Sequence, residues 1–181
     1  PVAALEAFLQ LKIADDKIVS AQRAIDAYLA EAVPTLEQRL HDTSLEINFA
    51  AAEALSQIAD NPAIRALAEG SITRNAELAA RVRQSLFSHA PVALPILVQL
   101  AARRDGPPDP AYLHVATELA RVAPGVVERM MGDPAEHVRR TAAVVLGNLG
   151  DDEALRTLVQ NACAPDFVVR RAAMEALIDW S

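Results

Sequence analysis

The segment Asp133–Leu149, DPAEHVRRTAAVVLGNL, returns elsewhere in this chain in altered form, and that recurrence constrains the fold more than any other feature. Sliding it forward by 31 positions sets Val138-Arg139-Arg140 on Val169-Arg170-Arg171. The same shift sets Pro134 on Pro165, Ala142 on Ala173, Leu146 on Leu177 and Leu149 on Trp180. Sliding it back by 91 sets Asp133 on Asp42, Val138 on Ile47, Ala142 on Ala51, Leu146 on Leu55 and Asp151 on Asp60. The backward match runs on, with Ala154-Leu155-Arg156 falling on Ala63-Ile64-Arg65. Both shifts fit one period of about 30 residues, and a fixed period of this size signals a stacked helical array.

Composition points to helices as the content of each unit. Alanine makes up about a fifth of the chain, aromatic residues 4%, and eleven prolines outnumber six glycines. Ala and Leu favour helix, and prolines suit the first turns of helices better than hairpins. In the clearest unit Asp133 is the expected N-cap and Pro134 the first helical residue. Ala135, Val138, Ala142, Val145, Leu146 and Leu149 then recur at helical spacing. Gly150 suits the stop. Asp151 opens a second helix whose apolar stripe is Ala154, Leu155, Leu158 and Val159. The other expected pairs are Asp15–Glu31 with Pro34–Leu40, Ser44–Ala59 with Pro62–Glu69, Asn75–Ser88 with Pro91–Arg103, and Pro110–Val122 with Pro124–Met131. Pro165–Trp180 is half of a further unit, and Val2–Leu11 a capping helix. The reading is therefore an all-α solenoid of about five and a half antiparallel helix pairs, one domain over 1–181, with a bend or linker near 103–110 (RRDGPPDP). Ala51, Ala142 and Ala173 are expected where helices cross, because a small side chain lets two backbones approach. The chain begins at Pro1 and stops at Ser181 just after a helical pattern, which suggests a piece of something longer.

The pattern D-P-x-x-x-V-R-x-x-A-x-x-x-L-G-x-L-G-D at 133–151 resembles a HEAT repeat, in particular the short HEAT-like variety also found in phycobilin lyases. The resemblance is good at 133–162 and 165–180 and fair at 42–67; over 71–132 only pair length and punctuation agree. It implies a superhelix of packed helix pairs. Such repeats serve many roles, so it says much about fold and little about function.

Charge and residue inventory exclude several functions. A net charge of −7 disfavours a general phosphate-backbone binder, though the acidic excess lies mainly in the first seventy residues, and nucleic acid is not an expected partner. The single cysteine, Cys163, rules out an internal disulfide or multi-Cys zinc site and is compatible with a cytoplasmic setting. Between Ala162 and Ala164 it reads as a small buried side chain. No apolar run approaches the ~18 residues of a membrane span. His41, His89, His114 and His137 fall in different units with no clean metal-ligand spacing. No P-loop, dinucleotide-binding or serine-nucleophile pattern occurs. Asp15-Asp16 and Asp151-Asp152 sit at helix starts, where carboxylates complement the helix dipole. Tyr28, Tyr112 and Trp180 are too scattered for base stacking, and Trp180 is expected either to cover the last layer or to pack on a following helix. No catalytic residue, metal or cofactor follows.

What remains are arginines. Arg139, Arg140, Arg170 and Arg171 recur one repeat apart and form either an anion-binding stripe or an internal ladder. The HEAT resemblance implies the ladder: one arginine of each pair holds Asp133, Asp151 or Asp166 of its own or the adjoining repeat. Arg140 and Arg171 are then the surface members. Second helices, which line the concave side of such a stack, add Arg65, Gln99, Arg103, Arg129, Arg156 and Gln160. The expected function is a non-catalytic scaffold or regulatory module that binds a protein or peptide on its concave surface, with Arg129, Arg140, Arg156 and Arg171 as candidate partner-binding residues. The alternative, carried by the resemblance alone, is a bilin lyase or chaperone subunit acting on a phycobiliprotein chromophore. A HEAT-like DNA base-excision enzyme would need a cationic channel with a catalytic carboxylate, which the sequence lacks. The half unit ending in Ile178-Asp179-Trp180-Ser181 reads as uncapped, so this end either self-associates or is covered by further repeats.

Overall fold

The computed structural model describes residues 28 and 31–179. The expected capping helix at 2–11, most of the helix expected at 15–31, and Trp180 lie outside the described residues. After a helical stretch over 31–39 come nine further helices: α1 (Leu45–Ile58), α2 (Asn61–Gly70), α3 (Ala76–Ser88), α4 (Ala90–Ala101), α5 (Pro110–Ala120), α6 (Pro124–Met130), α7 (Glu136–Leu149), α8 (Asp152–Asn161) and α9 (Phe167–Asp179). No strand occurs among the described residues. The fold is an all-α solenoid.

Local chemistry sets most of the boundaries. The Asp60 Oδ1 accepts from the Ala63 N–H at 2.7 Å and the Asp151 Oδ1 from the Ala154 N–H at 2.8 Å, so equivalent residues open α2 and α8 in the same way. The Asn75 Oδ1 accepts from the N–H groups of Glu77 and Leu78 and opens α3. Each cap satisfies donors that a helix start otherwise leaves unpaired, worth roughly 1 kcal/mol. Gly150 ends α7 at φ 70°. Ala59 adopts φ 54° after α1 without glycine's freedom, at a cost of about 1–2 kcal/mol.

Two expected starts are corrected. Asp133 does not cap α7: its Oδ1 accepts from the Ala135 N–H at 2.8 Å, closing a turn, and the helix begins at Glu136 with Ala135 as N-cap. Proline disfavours helical backbone at the residue before it and supplies no N–H, so the Asp133-Pro134 pair makes a turn first. The expected break between Glu31 and Pro34 is likewise absent, since residues 31–39 are helical throughout.

Packing follows the repeat. First helices stack on first helices, as α1 on α3, α5 on α7 and α7 on α9; second helices do the same, α2 on α4 and α4 on α6. Ala51, Ala142 and Ala173 are all buried, as their place at the crossings requires. A seam of Leu55, Ile64, Leu67, Leu86, Leu94, Leu97, Leu119, Leu146 and Leu158 runs through the layers, fully buried. Each such side chain contributes roughly 1.5–3 kcal/mol by leaving water. The layers approach closely at Gly147, where an added Cβ would meet the Cβ of Ala176 at 3.5 Å. Val159 departs from the expected stripe and is 52% exposed. Cys163 is exposed as well, in the turn after α8, where its N–H donates to the Gln160 carbonyl instead of entering the core.

Candidate functional site

The paired arginines divide by task. Arg170 Nη1 donates to the carbonyls of Ala164 and Pro165, both at 2.8 Å. One repeat earlier, Arg139 Nη1 donates to the carbonyls of Asp133 and Pro134. The internal ladder is real, but its acceptors are loop carbonyls, not the carboxylates expected. The reason is reach: a guanidinium on the first turn of a helix lies over the loop that precedes it, while the aspartates are already engaged by backbone N–H groups. Asp166 Oδ1 accepts from Val168 and Val169. These bonds, the one from Val169 above all, hold its carboxyl below the usual carboxylate range despite partial desolvation, and the charges of Arg139 and Arg170 add to the effect.

Asn48 makes the same reach in the first complete unit. The 91-residue shift sets it on Arg139, and its Nδ2 donates to the Asp42 carbonyl at 3.2 Å, again six residues back. Sequence reasoning passed over Asn48 because it lacks the charge, yet the alignment alone would have marked it.

The second arginine of each pair bonds a carboxylate of its own helix instead, Arg171 exposed and Arg140 half-buried. Arg140 Nη2 pairs with Glu136 Oε1 at 3.0 Å on α7, and Arg171 Nε with Glu175 Oε1 at 2.8 Å on α9. The Arg171 guanidinium is held charged more firmly by its bond to Glu175 and that carboxylate's field, with a smaller pull from Glu136 of the preceding first helix. Arg140 and Arg171 thus belong to the layer of first helices. Arg129 on α6 and Arg156 on α8 belong to the layer of second helices, and both are exposed. The four arginines expected to bind a partner therefore lie on two helix layers, two on each.

The second-helix layer has its own connections. Thr157 Oγ1 of α8 donates to Glu128 Oε1 of α6 at 3.3 Å, bridging residues 29 apart and setting Arg129 and Arg156 next to the two ends of that bond in sequence. Arg156 Nε donates to the Asp152 carbonyl one turn back, which lays its stem along α8. Between α2 and α4 opens a cleft of about 520 Å³ lined by Asn61, Pro62, Arg65, Val92, Pro95, Ile96 and Gln99. Arg65 and Gln99, read from the sequence as groove residues, meet there. The apolar lining of Pro62, Val92, Pro95 and Ile96 was not anticipated, because α4 reads as an apolar helix all round and nothing in its spacing separates core from cleft. Pro95 sits inside α4 and leaves the helix one backbone bond short, a cost that α4 offsets by packing against α2, α5 and α6.

Arg103 leaves the groove set, since it pairs with Asp109 across the 103–110 segment. The Asp109 N–H also donates to the Ala101 carbonyl at 2.8 Å, and its Oδ1 accepts from the Ala111 N–H at the start of α5. The Pro/Gly-rich stretch is thus tied at both ends. The Ala111 bond, followed by Arg103, keeps the Asp109 carboxyl below its ordinary range. His114 lies 3.5 Å from Glu118 on α5, and the His89 Nε2 contacts the Ser56 carbonyl at 3.1 Å. No cluster of His, Cys, Asp or Glu suited to a metal ion occurs among the described residues, nor any helix long and apolar enough to cross a membrane.

Residues 94–178 match the family model for HEAT repeats. The match reaches back through 94–132, where the sequence alone had shown only pair length and punctuation. No curated protein matches the chain. Among solved structures, the chain is similar to a designed armadillo repeat protein in complex with the peptide (KR)4, at 17% identity over 98% of this chain and 99% of that one, with a TM-score of 0.32. It is similar also to the complex of CpcE and CpcF of phycocyanin lyase from Nostoc sp., at 20% identity over 96% of this chain and 75% of that one, with a TM-score of 0.35. A third is an engineered protein at 19% identity, covering 99% of this chain and 84% of that one, with a TM-score of 0.32.

Proposed function

With residues 94–178 carrying HEAT repeats as the premise, we propose that this protein is a non-catalytic interaction module that holds a protein or peptide partner along the face of its second helices, the concave side of the stack. The observation that carries this reading is the α2–α4 cleft. It joins an apolar lining of Pro62, Val92, Pro95 and Ile96 to the polar groups of Asn61, Arg65 and Gln99. Apolar contact with a few placed polar groups is what a docked peptide side chain needs. Farther along the same layer, Arg129 and Arg156 offer cationic groups to acidic residues of the partner. Charge of this kind selects a partner and speeds its approach more than it adds affinity.

The test is capture of a partner from native lysate by the purified chain, with and without Arg129→Glu combined with Arg156→Glu. Both side chains are exposed, so the double variant keeps its helicity while losing the partner. Capture that survives the double change contradicts the assignment of this face. A visible spectrum of added bilin that shifts on mixing would instead favour the lyase reading.

A further inference from the structure

The outer face of α9 stands in a register that the array elsewhere covers with another helix. The 31-residue shift sets Met174 on Ala143 and Ile178 on Gly147. In α7 these positions face the next first helix: Gly147 lies against Ala176 of α9, and Ala143, one turn earlier, is completely buried. The 91-residue shift sets Ala52 on Ala143, and Ala52 is completely buried too. Met174 in the same register is 53% exposed, with Phe167 at 64% and Ile178 at 69%. Phe167, Arg171, Met174 and Ile178 follow one another at helical spacing and form one stripe. It lies opposite the side formed by Val169, Ala172, Ala173 and Ala176, which is buried against α7 and α8.

Size decides what can cover this stripe. α9 approaches α7 closely because Ala143, Gly147 and Ala176 are small. A further repeat laid on α9 at the same distance would run into the side chains of Met174 and Ile178. The stripe suits an occupant of large apolar side chains at the wider end of helix–helix spacings, about 10 Å. Its charges narrow the choice. Arg171 and Glu175 lie one turn apart near the middle of α9. When two copies of α9 pack antiparallel about a two-fold axis at that midpoint, Phe167 falls opposite Ile178 of the second copy. Arg171 then lies beside Glu175 of the second copy, so each carboxylate is shared by two guanidiniums and no like charges meet. Such a contact is self-complementary and closed.

We infer that the outer face of α9 is a homodimer interface, formed by antiparallel pairing with α9 of a second copy through Phe167, Met174 and Ile178. Sedimentation equilibrium of the full chain over a dilution series tests it. The expected result is a reversible monomer–dimer equilibrium that Met174→Glu shifts to monomer with unchanged far-UV circular dichroism. Arg171→Glu weakens the dimer by bringing carboxylates together, and adding Glu175→Arg to it restores the dimer. A chain that stays monomeric at every concentration overturns the inference. So does a dimer indifferent to Met174→Glu, an open series of larger oligomers, or a failure of the charge-reversed pair to recover association.

Discussion

Gly147 of α7 and Ala176 of α9 face each other so closely that a Cβ built on the glycine would sit 3.5 Å from the alanine's own. That distance is ordinary van der Waals contact, so the position has room for one methyl group and no more. Gly147→Ala is expected to stabilise the fold by up to about 1 kcal/mol, since alanine is the better helix former and the contact stays unstrained. Gly147→Leu is expected to destabilise it by about 1–3 kcal/mol, because the added atoms must push α9 away. Urea midpoints of the two variants check both signs, and equal midpoints would show that the α7–α9 contact is looser than described.

The division of labour within the arginine pairs predicts unequal effects from like substitutions. Arg170→Ala removes the donor shared by the Ala164 and Pro165 carbonyls and is expected to cost about 1–3 kcal/mol. Within one protomer Arg171→Ala breaks only an exposed pair on one helix, so at dilutions where the chain is monomeric it is expected to leave the midpoint where it was. Thermal or urea unfolding of the two single variants separates a ladder residue from a surface residue directly.

Asp109 and Asp166 are expected to make stability fall in acid. The carboxyls of both are held below the ordinary value of 3.8, in each case first by a backbone N–H, from Ala111 and from Val169 respectively. A carboxyl depressed in the folded state favours folding at pH values above 3.8, and that contribution is lost as pH falls from there through the folded value. Asp109→Asn with Asp166→Asn is therefore expected to lower the urea midpoint at pH 7 and to flatten its decline between pH 4 and lower values. A variant whose acid decline is as steep as that of the parent would assign the acid sensitivity to other groups.

Much of this molecule is legible in its sequence because the signals are local. Asp60, Asn75 and Asp151 cap the helices they precede, and Gly150 ends one, since each acts on backbone groups within a few residues. The 31- and 91-residue shifts placed Ala51, Ala142 and Ala173 in the core for a similar reason: a repeated contact demands a repeated side chain. The start of α7 was misread because two local preferences compete at Asp133-Pro134, and the turn is made before the helix.

Tertiary structure alone decided the remainder. Nothing in the spacing of Arg139 and Arg170 says whether loop carbonyls or carboxylates will accept their hydrogen bonds; that depends on which groups the backbone has already engaged. Pro62, Val92, Pro95 and Ile96 line a cleft only because α2 and α4 are brought side by side. Ala143 and Met174 occupy the same place in the repeat, yet one is sealed and the other open to solvent. A residue's place in the period is a property of the chain, whereas its burial depends on the neighbouring layer.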